Sequence, residues 1–297
     1  MSQQGACCPE GSLPALAFDY EPKGIQFEIA PTDKKKTPLQ VYVVGASEKD
    51  TCWNGPVLVM CSDIFGPFSG MHRKLADEFV SRLGGVAILP DPWEGTGGIC
   101  PQYNNEDNKP HQIGFNMFTL KVFKAIVWDG KSTLRKYSWE TSGRLLFSEQ
   151  LIPFLQSKGI NKFAMTGFCY GCWMIMKACN DPGIVEHVTC GIHFHPSTEM
   201  VERSVFGRDC IVLCETCAKP QMIHATKHES DNWKPNGAAH KALQKNEKVS
   251  DVEFSLAPFS QSHGFMTRAD VTRKEDQDAL KEGVEKAVAF LKKHNVE

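Results

Sequence analysis

Two rhythms of apolar residues alternate along the chain. Ile25–Ile29 and Leu39–Val44 are short and β-branched, and the charged run Lys34–Lys36 lies between them as a turn, so they read as an opening antiparallel pair. Further apolar runs at Pro56–Met60, Val86–Leu89, Phe163–Thr166, Cys190–Phe194, Gln221–Ala225 and Val252–Ala257 read as strands. Between them the spacing turns helical: Leu75, Phe79 and Leu83 within His72–Leu83, then Leu145, Leu146, Ile152 and Leu155 within Arg144–Gln156. Tyr170–Cys179 and the closing Glu275–His294 complete the set of predicted helices. Strands that alternate with helices imply an α/β protein, with a mostly parallel sheet covered by helices on both faces. Nothing in the pattern marks a linker, so residues 1–297 read as a single domain. Residues 94–130 hold Gly, Asn, Pro and aromatics without a clear period.

Composition narrows the function classes. The chain is 41% hydrophobic and 23% charged, as expected of a globular protein with a substantial core. Its formal net charge of −2 gives no electrostatic case for nucleic acid or an anionic membrane. No stretch reaches the roughly 18 consecutive apolar residues needed to span a bilayer. The N-terminal segment lacks the basic and apolar regions of a secretory signal, and 12 cysteines in 297 residues are too sparse for a disulfide scaffold. A cytoplasmic enzyme with reduced thiols is the expectation.

Candidate chemistry centres on Thr166-Gly167-Phe168-Cys169-Tyr170-Gly171-Cys172, at a predicted strand-to-helix junction. A turn that tight needs small residues two before and two after the nucleophile, and it lifts the thiol to the positive end of the following helix, which favours a thiolate. The Tyr170 backbone N–H then points where an oxyanion would form. This arrangement resembles the nucleophile elbow of the α/β-hydrolase fold. A rival reading takes Cys169 and Cys172 as a Cys-x-x-Cys pair of a thiol–disulfide oxidoreductase, but that chemistry has no use for Gly167 or for a downstream base. A third reading, a non-catalytic hydrolase relative acting as a binding module, sits poorly with an intact set of catalytic residues. The Cys169–Cys172 spacing also raises an oxidative bond that silences the thiol reversibly.

The hydrolase order is nucleophile, acid, histidine. Of ten histidines, His263 follows the last predicted strand and precedes the closing helix, the place of the base. His193 and His195 share one face of a predicted strand and read as core or pocket-wall residues. His224, His228 and His240 read as surface or sheet-edge positions. For the acid, Glu229 and Asp231 both follow the strand Gln221–Ala225, and the residues alone leave both open.

Taken together, these motifs resemble the dienelactone hydrolase family. Asp63-Ile64-Phe65-Gly66 is similar to its loop after the third strand, Gly167–Gly171 to its elbow, Asp231 to Pro235 to its acid loop, and His263-Gly264-Phe265 to its base motif. The resemblance implies a Cys169–Asp231–His263 triad, with the amides of Ile64 and Tyr170 as oxyanion hole. It implies that Asp63, where the family has Glu, pairs with the resting thiol, and that Arg268 binds a substrate carboxylate. The implied reaction is hydrolysis of a lactone or small carboxylic ester through a thioester, with no cofactor and no metal. A small-molecule substrate is the only partner implied, and oligomeric state is not readable. Residues 94–130, with Trp93, Phe115, Phe118 and Trp128, are the expected pocket wall.

Overall fold

A computed structural model describes residues 20–31, 37–94, 137–197 and 210–294. Eight strands form one sheet: β1 Ile25–Ile29, β2 Leu39–Val44, β3 Val57–Cys61, β4 Val86–Pro90, β5 Phe163–Phe168, β6 Val188–Phe194, β7 Gln221–Ala225 and β8 Val252–Leu256. Their order in the sheet is β1-β2-β4-β3-β5-β6-β7-β8. β1 pairs with β2, and β2 with β4, antiparallel; every later pair is parallel. The residues of β3, β4, β5 and β7 are all buried, which explains why β3 and β4 read as continuous apolar runs with no alternation.

The helices are α1 His72–Leu83, α2 Ile152–Ser157, α3 Tyr170–Ala178, α4 Cys210–Thr216, α5 Ala238–Lys245, α6 Phe265–Arg268 and α7 Lys274–Lys293. One core layer sets Leu75 and Phe79 of α1 and Val284 and Leu291 of α7 against Leu58, Ala87 and Ile192 of the sheet. The other sets Leu155 of α2, Ile175 of α3, Cys214 of α4 and Leu243 of α5 against Val59, Ile88 and Ile223. Both faces of the sheet are thus covered, as the alternation of strands and helices predicts.

Two differences from the sequence expectation have local causes. The predicted helix Arg144–Gln156 becomes two wide, π-helical segments, Trp139–Gly143 and Leu146–Leu151, before it tightens into α2. Pro153 has no N–H for a regular i→i−4 bond, and it comes just after the π-helical turn Leu146–Leu151. α4 and α5 go unpredicted because each is short, and α5 also lacks a side-chain N-cap bond to announce it. None of the described helices is long and apolar enough to cross a membrane.

Candidate active site

The C-terminal edge of the parallel strands carries the site, as open α/β sheets lead one to expect. β5 ends at Phe168, and α3 begins at Tyr170. Cys169 makes the whole turn between them, with φ 53° and ψ −111°, a conformation that a residue with a side chain rarely holds. Neighbouring backbone keeps it there: Cys169 N–H donates to Phe194 O at 3.2 Å, and Ser197 N–H donates to Cys169 O at 3.3 Å. The flanking glycines are a steric necessity. A Cβ at Gly171 would lie 2.1 Å from Cys61 O, and one at Gly167 would lie 2.6 Å from the carbonyl carbon of Gly171.

His263 lies in the loop between β8 and α6 and is buried. Its Nδ1 is 2.8 Å from Glu229 Oε1, and both side chains are only 1% exposed. The second oxygen of Glu229 accepts the N–H of Thr226, so both carboxylate oxygens are engaged. Burial alone would push the His263 pKa down. The charge of Cys169, hydrogen bonding to Cys169 and the Glu229 carboxylate outweigh it and hold the imidazole well above its ordinary range. Burial likewise pushes Glu229 upward, but hydrogen bonding to His263 and the imidazolium charge bring its carboxyl below the usual value. With Nδ1 on Glu229, Nε2 is the ring nitrogen left for Cys169.

The acid taken from the family resemblance is not at the base. Asp231 is 97% exposed and is held by Lys234 Nζ at 2.8 Å. The reason is the loop itself. A turn from Thr226 to Glu229 folds the glutamate back onto the end of β7. Ser230 then caps the short turn Asp231–Trp233 by accepting Asn232 N–H, and the chain leaves the site. Glu229, which the residues alone had left as an equal candidate, stands at His263.

Asp63, expected to pair with the resting thiol, bonds with Thr267, Arg268 and Phe65. Its Oδ2 accepts Thr267 Oγ1 at 3.2 Å and lies 3.4 Å from Arg268 Nη2; its Oδ1 accepts Phe65 N–H at 2.9 Å. Arg268 is 3% exposed, and its guanidinium lies over the Phe65 ring at 4.1 Å. The aspartate, one methylene shorter than glutamate, is spent on this clamp. His72 completes it: Nδ1 donates to Ser69 O at 2.7 Å, which leaves Nε2 as the acceptor for Asp63 N–H at 3.3 Å.

Ile64 lies in the tight loop after β3, where Gly66 N–H closes back onto Asp63 O. Tyr170 is the first residue of α3, so its N–H has no intrahelical acceptor. The close approach of Gly171 to Cys61 brings these two elements together. Trp93 packs on both Tyr137 and Tyr170, with ring centroids 5.1 Å apart in each case, and Tyr170 OH donates to Tyr137 O. The other expected wall residues, Phe115, Phe118 and Trp128, lie outside the described residues.

Cys172 takes no part in this constellation. Its thiol donates to Gly167 O and Phe194 O, and burial together with the Cys169 charge raises its pKa well above the ordinary value. That is a packed thiol, poorly suited to the oxidoreductase reading or to resolving an oxidised Cys169. The histidines also sort differently. His224 is buried, with Nδ1 at 2.7 Å from Ser255 Oγ, and is no surface residue. His193 lies in β6, bonded to Gln221, but His195 falls one residue past the strand at φ 41°. Its ring centroid is 4.9 Å from that of His263. The sequence signal for this position is His195-Pro196 at a strand end, where a chain must turn.

Comparison with known proteins follows this geometry. An esterase of Pyrococcus furiosus superposes with TM-score 0.53 at 11% identity, over 99% of this chain and 99% of that one. A Klebsiella pneumoniae protein assigned as a dienelactone hydrolase superposes with TM-score 0.53 at 15% identity, over 90% of this chain and 98% of that one. A Pyrococcus horikoshii acylaminoacyl peptidase gives TM-score 0.51 at 10% identity, over 91% of this chain and 41% of that one. These likenesses establish the α/β-hydrolase fold. A search of curated proteins finds no match. The sequence profile of the dienelactone hydrolase family matches residues 39–295, nearly the whole chain from β2 to beyond α7, and the chain therefore belongs to the dienelactone hydrolase family, a hydrolase of esters and lactones.

Proposed function

We propose that the protein hydrolyses a small carboxylic ester or lactone through a thioester on Cys169, with His263 as base and Glu229 as the acid that orients it. One observation carries this reading: a buried imidazole bonded at Nδ1 to a buried carboxylate, with its other nitrogen toward a cysteine on a strained elbow. The raised His263 pKa favours a thiolate–imidazolium pair at rest. The thiolate adds to the ester carbonyl, and the oxyanion takes the N–H groups of Ile64 and Tyr170. His263 then gives its proton to the departing alkoxide. Water enters, loses a proton to His263 and releases the acid.

Arg268 we assign to holding the Asp63 loop, because its charge is already matched inside the protein. The neighbouring wall of Trp93, Tyr137 and Tyr170 suits an apolar acyl or aryl group. A chemistry that needs a reduced thiol fits a cytoplasmic location, and none of the eight cysteines Cys52, Cys61, Cys169, Cys172, Cys179, Cys190, Cys214 and Cys217 is in a disulfide. The test is Cys169→Ala against an aryl ester, with intact-mass measurement of the wild type during turnover. Loss of turnover by several powers of ten, and an acyl adduct on Cys169, are the expected results. A variant with near wild-type turnover, or an adduct elsewhere, would end the assignment.

A further inference from the structure

We propose that His195 is a catalytic residue of the second half-reaction: it holds the hydrolytic water between its own ring and His263 Nε2, facing the Cys169 thioester. The proposal rests on the thioester reading above. Three observations point to it.

The first is position. β5 and β6 pair with Phe168 opposite Phe194, so Cys169 and His195 are the next residues out of the sheet, side by side. Both adopt positive φ, 53° and 41°. The two turns are laced together by Cys169 N–H on Phe194 O and Ser197 N–H on Cys169 O, while His195 N–H is tied to His224 O of β7. His195 cannot leave the nucleophile's side without undoing the elbow.

The second is unmet polarity. His195 is fully buried, yet neither ring nitrogen has a hydrogen-bond partner in another residue. Buried polar atoms in folded proteins are nearly always bonded, so two such nitrogens beside the nucleophile mark a place for a small polar molecule. The ring neighbours on the remaining sides are Phe168 and Phe265, which offer no hydrogen bond. The two imidazoles lie edge to face, with ring centroids 4.9 Å apart and planes crossed at 72°, so one small polar molecule at their rim can reach a nitrogen of each.

The third is protonation state. Burial first, then the positive charges of His263 and Arg268, keep the His195 pKa well below its ordinary value. The ring is therefore neutral and retains one acceptor nitrogen. Once the alkoxide has left with the proton of His263, that ring is neutral too. The water gives one hydrogen to each imidazole. Its oxygen bonds to the acyl carbon as one proton passes to His263 Nε2. The C–S bond then breaks, the carboxylic acid leaves, and thiolate and imidazolium are restored. His195 stays neutral throughout, because it accepts a hydrogen bond and never the proton.

The experiment separates the two half-reactions. Wild type, His195→Phe and His195→Asn are given a p-nitrophenyl ester with hydroxylamine as a competing acyl acceptor. Asparagine tolerates positive φ and keeps a donor and an acceptor, whereas phenylalanine keeps only the ring volume. In His195→Phe, the ratio of hydroxamate to free acid should rise about ten- to a hundredfold, the usual effect of losing a buried hydrogen bond to a reacting group. Single-turnover release of nitrophenolate, with enzyme in excess, should stay within about threefold and also reports that the variant is folded. His195→Asn should fall between the two in partition ratio. An unchanged ratio in His195→Phe, or equal losses in both half-reactions, would overturn the proposal. Absence of any Cys169 adduct and any hydroxamate in the wild type would instead defeat the thioester reading.

Discussion

Glu229→Gln should be far more damaging than its single-atom change implies, and the surrounding bonds say why. One carboxylate oxygen takes Thr226 N–H, the other faces His263 Nδ1. A glutamine there must keep its oxygen on Thr226, because only oxygen can accept that buried N–H. Its amide NH₂ then faces His263 and donates to Nδ1. The ring is forced into the tautomer with hydrogen on Nε2, which cannot accept a proton from the thiol or from water. The same change removes a negative charge that helps keep His263 protonated. Both effects act on the reacting proton, and loss of the orienting acid in comparable triads costs about 10³- to 10⁴-fold in kcat, or roughly 4–5.5 kcal/mol. Asp231→Asn removes only an exposed pair with Lys234 and should change kcat less than about twofold. The assay is steady-state hydrolysis of a p-nitrophenyl ester by the two variants, with circular dichroism to confirm folding. A reversed ranking would refute the reasoning, since the carboxylate at the base would then be doing less than one in solvent.

Two further outcomes follow. Arg268→Ala leaves Asp63 buried without its cation, so stability to urea should drop by about 3–5 kcal/mol, with turnover of anionic and neutral esters falling alike; a drop under about 1 kcal/mol would mean that the pair is not what holds the loop. Because the folded His263 pKa is raised, its stabilising contribution is full below the unfolded value of about 6.5 and is lost as pH rises through the folded value; Glu229, with a depressed pKa, contributes above about 4.3 and fades as pH falls through its folded value. Stability and ester turnover, measured across pH, should therefore hold through neutrality and decline on the alkaline side, and Glu229→Gln should move that decline to lower pH.

The strands, the elbow and the base were legible because each has a local signature. PVLVM and VAIL are apolar without alternation, and only a buried parallel strand needs that. Gly167 and Gly171 report steric contacts that leave no other residue possible. The acid was not legible, because Glu229 and Asp231 differ by two positions in one loop and the choice depends on where Thr226 turns the chain. Motif likeness favoured the aspartate before a proline; reach and hydrogen bonding favour the glutamate. The Asp63–Arg268 clamp joins residues 205 positions apart, and no periodicity carries that information. His195 lies one residue past the end of β6 at Phe194, where the strand periodicity that pairs it with His193 no longer sets its direction.

The lacing of the elbow to β6 also bears on how the molecule breathes. Cys169 sits in a costly backbone conformation, and its two restraining bonds both reach across the centre of the sheet, to Phe194 and Ser197. Local openings of a folded protein begin where few buried contacts and few protected amides must be given up. Here the nucleophile can relax only if β5 and β6 part, and those strands lie in the interior of the order β3-β5-β6-β7. The reactive turn thus belongs to the last cooperative unit to open. Heat or denaturant should extinguish catalysis and the fold together, with no long-lived folded but inert form between them.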